Sequence, residues 1–201
     1  MHVLLVHGLG RTALSVSGLA RHLRSAGHST ETFGYVGALE SFSRICERLH
    51  VRLERIAGSG QAYAVLGHSL GGLLLRAALS GVQPQPEHVV MLGTPNRPPR
   101  LARRFRTWWP FRITSGDSGH RLGDPEFFAA LPRPAVPYTI IAGTGGYRGR
   151  RSPFGAEEND WIVGVSETMM TDADEPVLVA VGHTFMMSNR AVRAAVLRAL
   201  G

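Results

Sequence analysis

Short apolar runs separated by helical patterns constrain this chain more than any other feature of it. Val3 to Val6, Thr30 to Phe33, Ala62 to Leu66 and His88 to Leu92 read as strands, and Thr12 to Ser25, Leu39 to Ile56 and Leu70 to Leu79 read as the helices between them. Such alternation predicts an α/β fold, a mostly parallel sheet with helices on both faces. In Leu39 to Ile56, Phe42, Ile45, Leu49, Leu53 and Ile56 share one stripe, while Glu40 and Arg44 pair outside it. After Gly93-Thr94-Pro95-Asn96 the pattern breaks over a stretch rich in proline and arginine, with one short helix expected at Pro125 to Leu131. The sheet resumes with Tyr138 to Ala142 and closes with Val177 to Val181, before a C-terminal helix from Asn189 to Leu200. With 201 residues, the chain is expected to form a single domain, residues 1–201, with a lid-like insertion at 97–135.

Gly67-His68-Ser69-Leu70-Gly71 falls where the strand Ala62 to Leu66 hands over to the helix Leu70 to Leu79. A serine between two glycines at a strand-to-helix turn has the form of a nucleophile elbow, because bulkier residues two positions away would collide across so tight a turn. The hydroxyl then stands at a helix N-terminus, where the dipole favours developing negative charge. Upstream, Val3 to Val6 ends in His7-Gly8-Leu9-Gly10, the place where such a site gathers the other half of an oxyanion hole. The backbone N–H groups of Leu9 and Leu70 are the candidate donors. His7 and His68 are expected to be structural neighbours of these turns.

A serine hydroxyl needs a base, and the base needs a carboxylate to orient it. His183 follows the final strand at its carboxyl end, where open parallel sheets collect their sites, whereas His120 lies in the insertion with no strand behind it. Position also decides among the acids. Asp172 and Asp174 precede the last strand and belong at its amino end, and Asp117 and Asp124 precede Tyr138 to Ala142 altogether. Asp160 lies in the loop after that strand, with Trp161-Ile162-Val163 expected to anchor the loop on the core, so Asp160 is the candidate and Glu157 or Glu158 the reserve.

The formal charge is +7, and all 22 basic residues are arginine. Six of these lie between Arg97 and Arg112 without an acidic residue among them, interleaved with Phe105, Trp108, Trp109 and Phe111. Arg100, Arg103, Arg104, Trp108 and Trp109 are therefore candidate contacts for an anionic membrane surface, set against the plainer reading of a solvated basic loop. Nucleic acid is not the expected partner, because charge without a recognition fold does not make such a site. Gly143-Thr144-Gly145-Gly146 lacks the lysine-bearing pattern of a nucleotide loop and reads as a glycine-rich loop beside the site. Cys46 is the only cysteine, which rules out an internal disulfide, and neither a metal nor another cofactor is expected. No basic, apolar, small-residue leader opens the chain and no apolar run approaches the roughly 18 residues of a membrane span. The expected location is cytoplasmic, with at most peripheral membrane contact.

Taken together, Val6-His7-Gly8-Leu9-Gly10, Gly67-His68-Ser69-Leu70-Gly71-Gly72, Gly93-Thr94-Pro95-Asn96, Asn159-Asp160-Trp161-Ile162-Val163 and Gly182-His183-Thr184-Phe185-Met186-Met187 resemble the α/β-hydrolase superfamily, in particular small cap-less bacterial lipases and lipase- or acyltransferase-like hydrolases. The resemblance implies the α/β-hydrolase fold, a triad at Ser69, Asp160 and His183, and a serine carboxylic ester hydrolase, a lipase or esterase acting on lipid-like or small esters. A thioesterase or acyltransferase with the same triad and a non-catalytic lipid-binding protein with the hydrolase fold remain the alternatives. Many relatives carry glycine after the aspartate, where Trp161 stands here.

Overall fold

The computed structural model of the chain describes residues 1–101, 117, 119 and 121–201. Six strands, β1 (His2–Val6), β2 (Ser29–Phe33), β3 (Tyr63–His68), β4 (His88–Leu92), β5 (Tyr138–Gly143) and β6 (Val177–Val179), form one parallel sheet in the order β2-β1-β3-β4-β5-β6. The chain starts inside the sheet, steps out to β2, returns past β1 to β3 and then adds strands outward to β6. Because every strand runs the same way, every loop that leaves a strand's carboxyl end emerges on one edge.

Period-two alternation divides the strand residues between two apolar layers. Leu4, Val6, Val65, Val89, Met91 and Ile140 meet α2 (Phe42–Ala57) and α3 (Leu70–Ala78) on one face. Val3, Leu5, Ala64, Leu66, Val90, Leu92 and Ile141 meet α1 (Ser17–Ser25) and the last helix (Arg190–Leu200) on the other. Each fully buried Leu or Val contributes about 1.5–3 kcal/mol by leaving water, which is why both faces must be covered.

Helix α2 buries its predicted stripe but begins later than the periodicity suggested. Ser41 caps it, its hydroxyl accepting from Arg44 N at 3.2 Å, and Leu39 stands outside at 84% exposure. Glu40 consequently lies before the helix, accepts from Val36 N and pairs with Arg48, while Arg44 pairs with Glu47 instead. Two other boundaries also differ. The segment 12–25 opens as a 3-10 turn, Ala13–Val16, before α1, and β6 stops at Val179, where Val181 N turns back to Val179 O.

Beyond β4 come α4 (Pro125–Ala130), α5 (Val165–Thr168) and α6 (Arg190–Leu200) among the described residues. Asp124 caps α4 and Asn189 caps α6, as their side-chain oxygens accept from Glu126 N and from Ala191 N and Val192 N. Arg76 on α3 is buried and ties this half to the sheet. Its guanidinium donates to Leu131 O, Pro132 O and Asn96 Oδ1, and Asn96 Nδ2 donates on to Thr168 O. The Gly93-Thr94-Pro95-Asn96 segment is thus a junction between α3, the chain after α4 and the end of α5.

Candidate active site

Ser69 joins β3 to α3 with φ 53 and ψ −123, backbone angles costing about 1–2 kcal/mol for a residue with a side chain. The flanking glycines make the turn sterically feasible. A Cβ on Gly67 would lie 2.4 Å from Gly72 N, and one on Gly71 would lie 2.4 Å from Val6 O. Ser69 N donates to Leu92 O at 2.9 Å, which fixes the turn against the end of β4.

Asp160 and His183 come from the loops after β5 and β6. His183 Nδ1 lies 2.6 Å from Asp160 Oδ2, and both side chains are buried. The other carboxylate oxygen accepts from Ile162 N at 3.0 Å and Val163 N at 2.7 Å, while His183 N donates to Asp160 O at 2.9 Å. These bonds aim Oδ2 at the ring, and the network assigns the proton to Nδ1, leaving Nε2 as the basic nitrogen. The anchoring of this loop expected from Trp161-Ile162-Val163 is met at one residue alone. Only Val163 is buried, and the loop is held instead by these backbone bonds and by Asn159, whose Oδ1 accepts from Trp161 N.

The serine turn and the Asp160–His183 pair meet on the carboxyl edge of the sheet. The His68 and His183 rings are 4.8 Å apart, and His68 Nε2 donates to His183 O at 3.1 Å. Gly93, directly after the carbonyl that receives Ser69 N–H, packs so closely that a Cβ there would be 3.1 Å from His183 Nδ1 and 3.2 Å from Asp160 Oδ2. Among the described residues the Ser69 hydroxyl makes no hydrogen bond to His183. Such bonds often tighten only once substrate is bound.

The loop after β1 runs against the same serine, since a Cβ on Gly8 would be 3.1 Å from Ser69 Cβ. Among the described residues neither Leu9 N–H nor Leu70 N–H finds an acceptor, which leaves both donors open. His7 holds this loop. Its Nδ1 donates to Gly8 O, its Nε2 accepts from Tyr35 N, and its ring stacks on Tyr35 at 4.2 Å.

Burial keeps both of these accessory histidines neutral. Desolvation, with the neighbouring His183 adding to it, pushes the His68 pKa down from 6.5 to about 3, and desolvation also lowers that of His7. Both folded-state values lie below the unfolded value, so the unfolded chain binds more protons as pH falls under 6.5. Stability is therefore complete above that pH and is expected to fall below it, by about 1.4 kcal/mol per pH unit for each fully coupled histidine. Urea melts of the wild type and of His68→Gln between neutral pH and pH 4 check this, because the variant should show the shallower decline.

The other candidate acids and His88 are engaged elsewhere. Glu157 accepts from Ser166 N and Oγ and pairs with Arg100, and although burial raises its pKa, these bonds outweigh it and hold the carboxyl below its usual range. Glu158 pairs with Arg148 and Asp172 with Arg97. Asp174 accepts from Tyr138 Oη at the amino end of β5, and Asp117 accepts from Phe42 N at the start of α2. His88 also follows Ser69 in sequence, but it opens β4 at the amino end and bonds Thr139 Oγ1. Arg100 bridges Glu157 and Glu167, so its guanidinium is turned to the protein's own acids. Arg103, Arg104, Trp108, Trp109 and His120 lie outside the described residues. The amides of Thr144, Gly145 and Gly146 donate to Val179 O, Val181 O and Asn159 O and so cannot cradle a phosphate. Among the described residues no three His, Cys, Asp or Glu side chains gather as metal ligands, and no helix is long and apolar enough to cross a membrane.

A parallel sheet in this order, with a strained serine turn after the third strand and a histidine after the last, defines a protein of the α/β-hydrolase fold. Solved structures share it across nearly the whole chain. The mature form of a lipase from Bacillus licheniformis superposes with a TM-score of 0.77 at 17% identity, covering 98% of this chain and 90% of its own. An extracellular α/β-hydrolase from a Paenibacillus species reaches 0.67 at 13% identity, with 99% and 98% coverage. A thioesterase of the prodiginine biosynthetic pathway in Streptomyces coelicolor reaches 0.62 at 16% identity, with 99% and 84% coverage. No family model and no curated protein sequence matches the chain.

Proposed function

We propose that the chain is a serine carboxylic ester hydrolase with Ser69 as nucleophile, His183 as base and Asp160 as the orienting acid. The observation that carries this reading is the 2.6 Å bond between Asp160 and His183 beside the strained serine turn. Ser69 Oγ attacks the ester carbonyl carbon while His183 Nε2 takes the hydroxyl proton, and the carbonyl oxygen, now an oxyanion, accepts from Leu9 N–H and Leu70 N–H. Collapse of the tetrahedral intermediate breaks the carbon–oxygen bond to the alcohol, which leaves with the proton held by His183. A water then gives its proton to Nε2 and attacks the acyl carbon, and the acid departs as Ser69 regains its proton.

Lipid-like esters are the proposed substrates, a choice supported by the lipase among the structural neighbours and by a phospholipase from Legionella pneumophila with a TM-score of 0.72 at 15% identity, covering 100% of this chain and 58% of its own. A thioester donor would pass through the same acyl-enzyme, and the Streptomyces coelicolor thioesterase favours keeping that second reading. Treatment with a fluorophosphonate probe, followed by mass spectrometry, is expected to give one adduct on Ser69, and p-nitrophenyl esters of increasing chain length are expected to turn over. An unlabelled Ser69 together with no ester turnover would instead favour a binding protein built on the hydrolase fold.

A further inference from the structure

Among the described residues only Ser69 and Trp161, glycines apart, have positive φ. Strain of this kind persists where surrounding structure enforces it and clusters at functional sites. At Ser69 the reason is the turn that presents the hydroxyl at the start of α3. Trp161, at φ 81, is the first of the two residues of a tight hairpin turn closed by Asp160 N donating to Val163 O and by the Asn159–Gly164 bridge, a position that demands positive φ and favours glycine or asparagine, yet here it carries an indole that is 58% exposed and fills no part of the core. Its N–H is held by Asn159 Oδ1, next to the carboxylate that orients His183. The indole lies across Gly182, the residue before His183, with Cδ1 3.2 Å from where a Cβ there would stand. Two residues past His183, Phe185 is exposed as well, and so is Ile162.

This placement is specific to one part of an ester. The carbonyl oxygen belongs at Leu9 and Leu70, and the departing alcohol must receive its proton from His183, so the exposed indole over Gly182, directly before His183, is the candidate to border the alcohol. We propose that Trp161 is the specificity-determining residue for the alcohol portion of the substrate, an aromatic shelf that selects esters of aromatic or bulky apolar alcohols. The proposal rests on the ester hydrolase reading of Ser69. The hairpin turn sets the backbone at this position, and the choice of a large aromatic where glycine fits best leaves an apolar ring open to a ligand that arrives from solvent.

Trp161→Gly provides the test, because glycine takes positive φ without strain and the variant should fold at least as stably, as a thermal melt would show. Two ratios of kcat/KM are compared with wild type: 1-naphthyl acetate over ethyl acetate, which varies the alcohol, and ethyl octanoate over ethyl acetate, which varies the acyl chain. The first ratio is expected to fall by about tenfold, mainly through KM, while the second stays within about twofold. Trp161→Phe should restore most of the first ratio. An alcohol ratio unchanged in Trp161→Gly, or an acyl ratio that shifts as far, would overturn the proposal. If the wild type hydrolyses none of these esters, the hydrolase reading itself fails and the proposal falls with it.

Discussion

Ser69→Ala is expected to lower ester turnover by about 10⁵-fold or more and to abolish labelling by a fluorophosphonate, since it removes the hydroxyl proposed to form the acyl-enzyme. Folding should barely change. The hydroxyl is half-buried and, among the described residues, makes no hydrogen bond, and alanine takes the same backbone angles, so a stability change under about 0.5 kcal/mol is expected. Steady-state kinetics with a p-nitrophenyl ester, paired with a thermal melt, separates loss of chemistry from loss of structure. Full activity in the alanine variant would mean that another residue carries the nucleophile.

Asp160→Asn is expected to cost about 10⁴-fold in kcat, for a reason that follows from the hydrogen bonds around the carboxylate. One oxygen of Asp160 is claimed by Ile162 N–H and Val163 N–H, and asparagine would keep its carbonyl oxygen there. Its NH₂ would then face His183 Nδ1, donor against donor, and drive the imidazole into the tautomer with the proton on Nε2. That nitrogen could no longer accept the serine proton. Asp172→Asn removes only an exposed ion pair with Arg97, so its kcat should stay within about twofold of wild type. Equal losses in the two variants would take the orienting role away from Asp160.

Much of the sheet was legible because buried parallel strands are written as unbroken apolar runs, and the serine turn because only small residues fit beside it. The side of the sheet on which Asp160 and His183 lie was legible too, since each follows a strand rather than preceding one. Other parts depend on partners far away in sequence. The late start of α2 follows from Ser41 and Asp117 taking its first N–H groups, which no periodicity of apolar residues reveals. The α5 turn and the 3-10 turn His183–Ser188 are too short to display a period. Trp161 misled for a different reason. A large aromatic next to a buried aspartate suggests an anchor in the core, yet backbone N–H groups do the anchoring and the ring points out. Arg100 read as free charge for a membrane because Glu157 and Glu167, its partners, lie more than fifty positions away.

The order in which the sheet is filled has a consequence for biosynthesis. In a polypeptide growing from its amino end, the residues of β1, β3 and the serine turn are made long before Asp160 and His183, and β6, which leads to His183, is the last of the described strands in the chain. On the proposed mechanism, a nascent chain therefore carries the nucleophile and its two oxyanion donors before it carries a base. The proposed chemistry switches on only when the outermost strand has docked and α6 has sealed the face behind it, so ester hydrolysis during translation would serve as a direct clock for the final folding step.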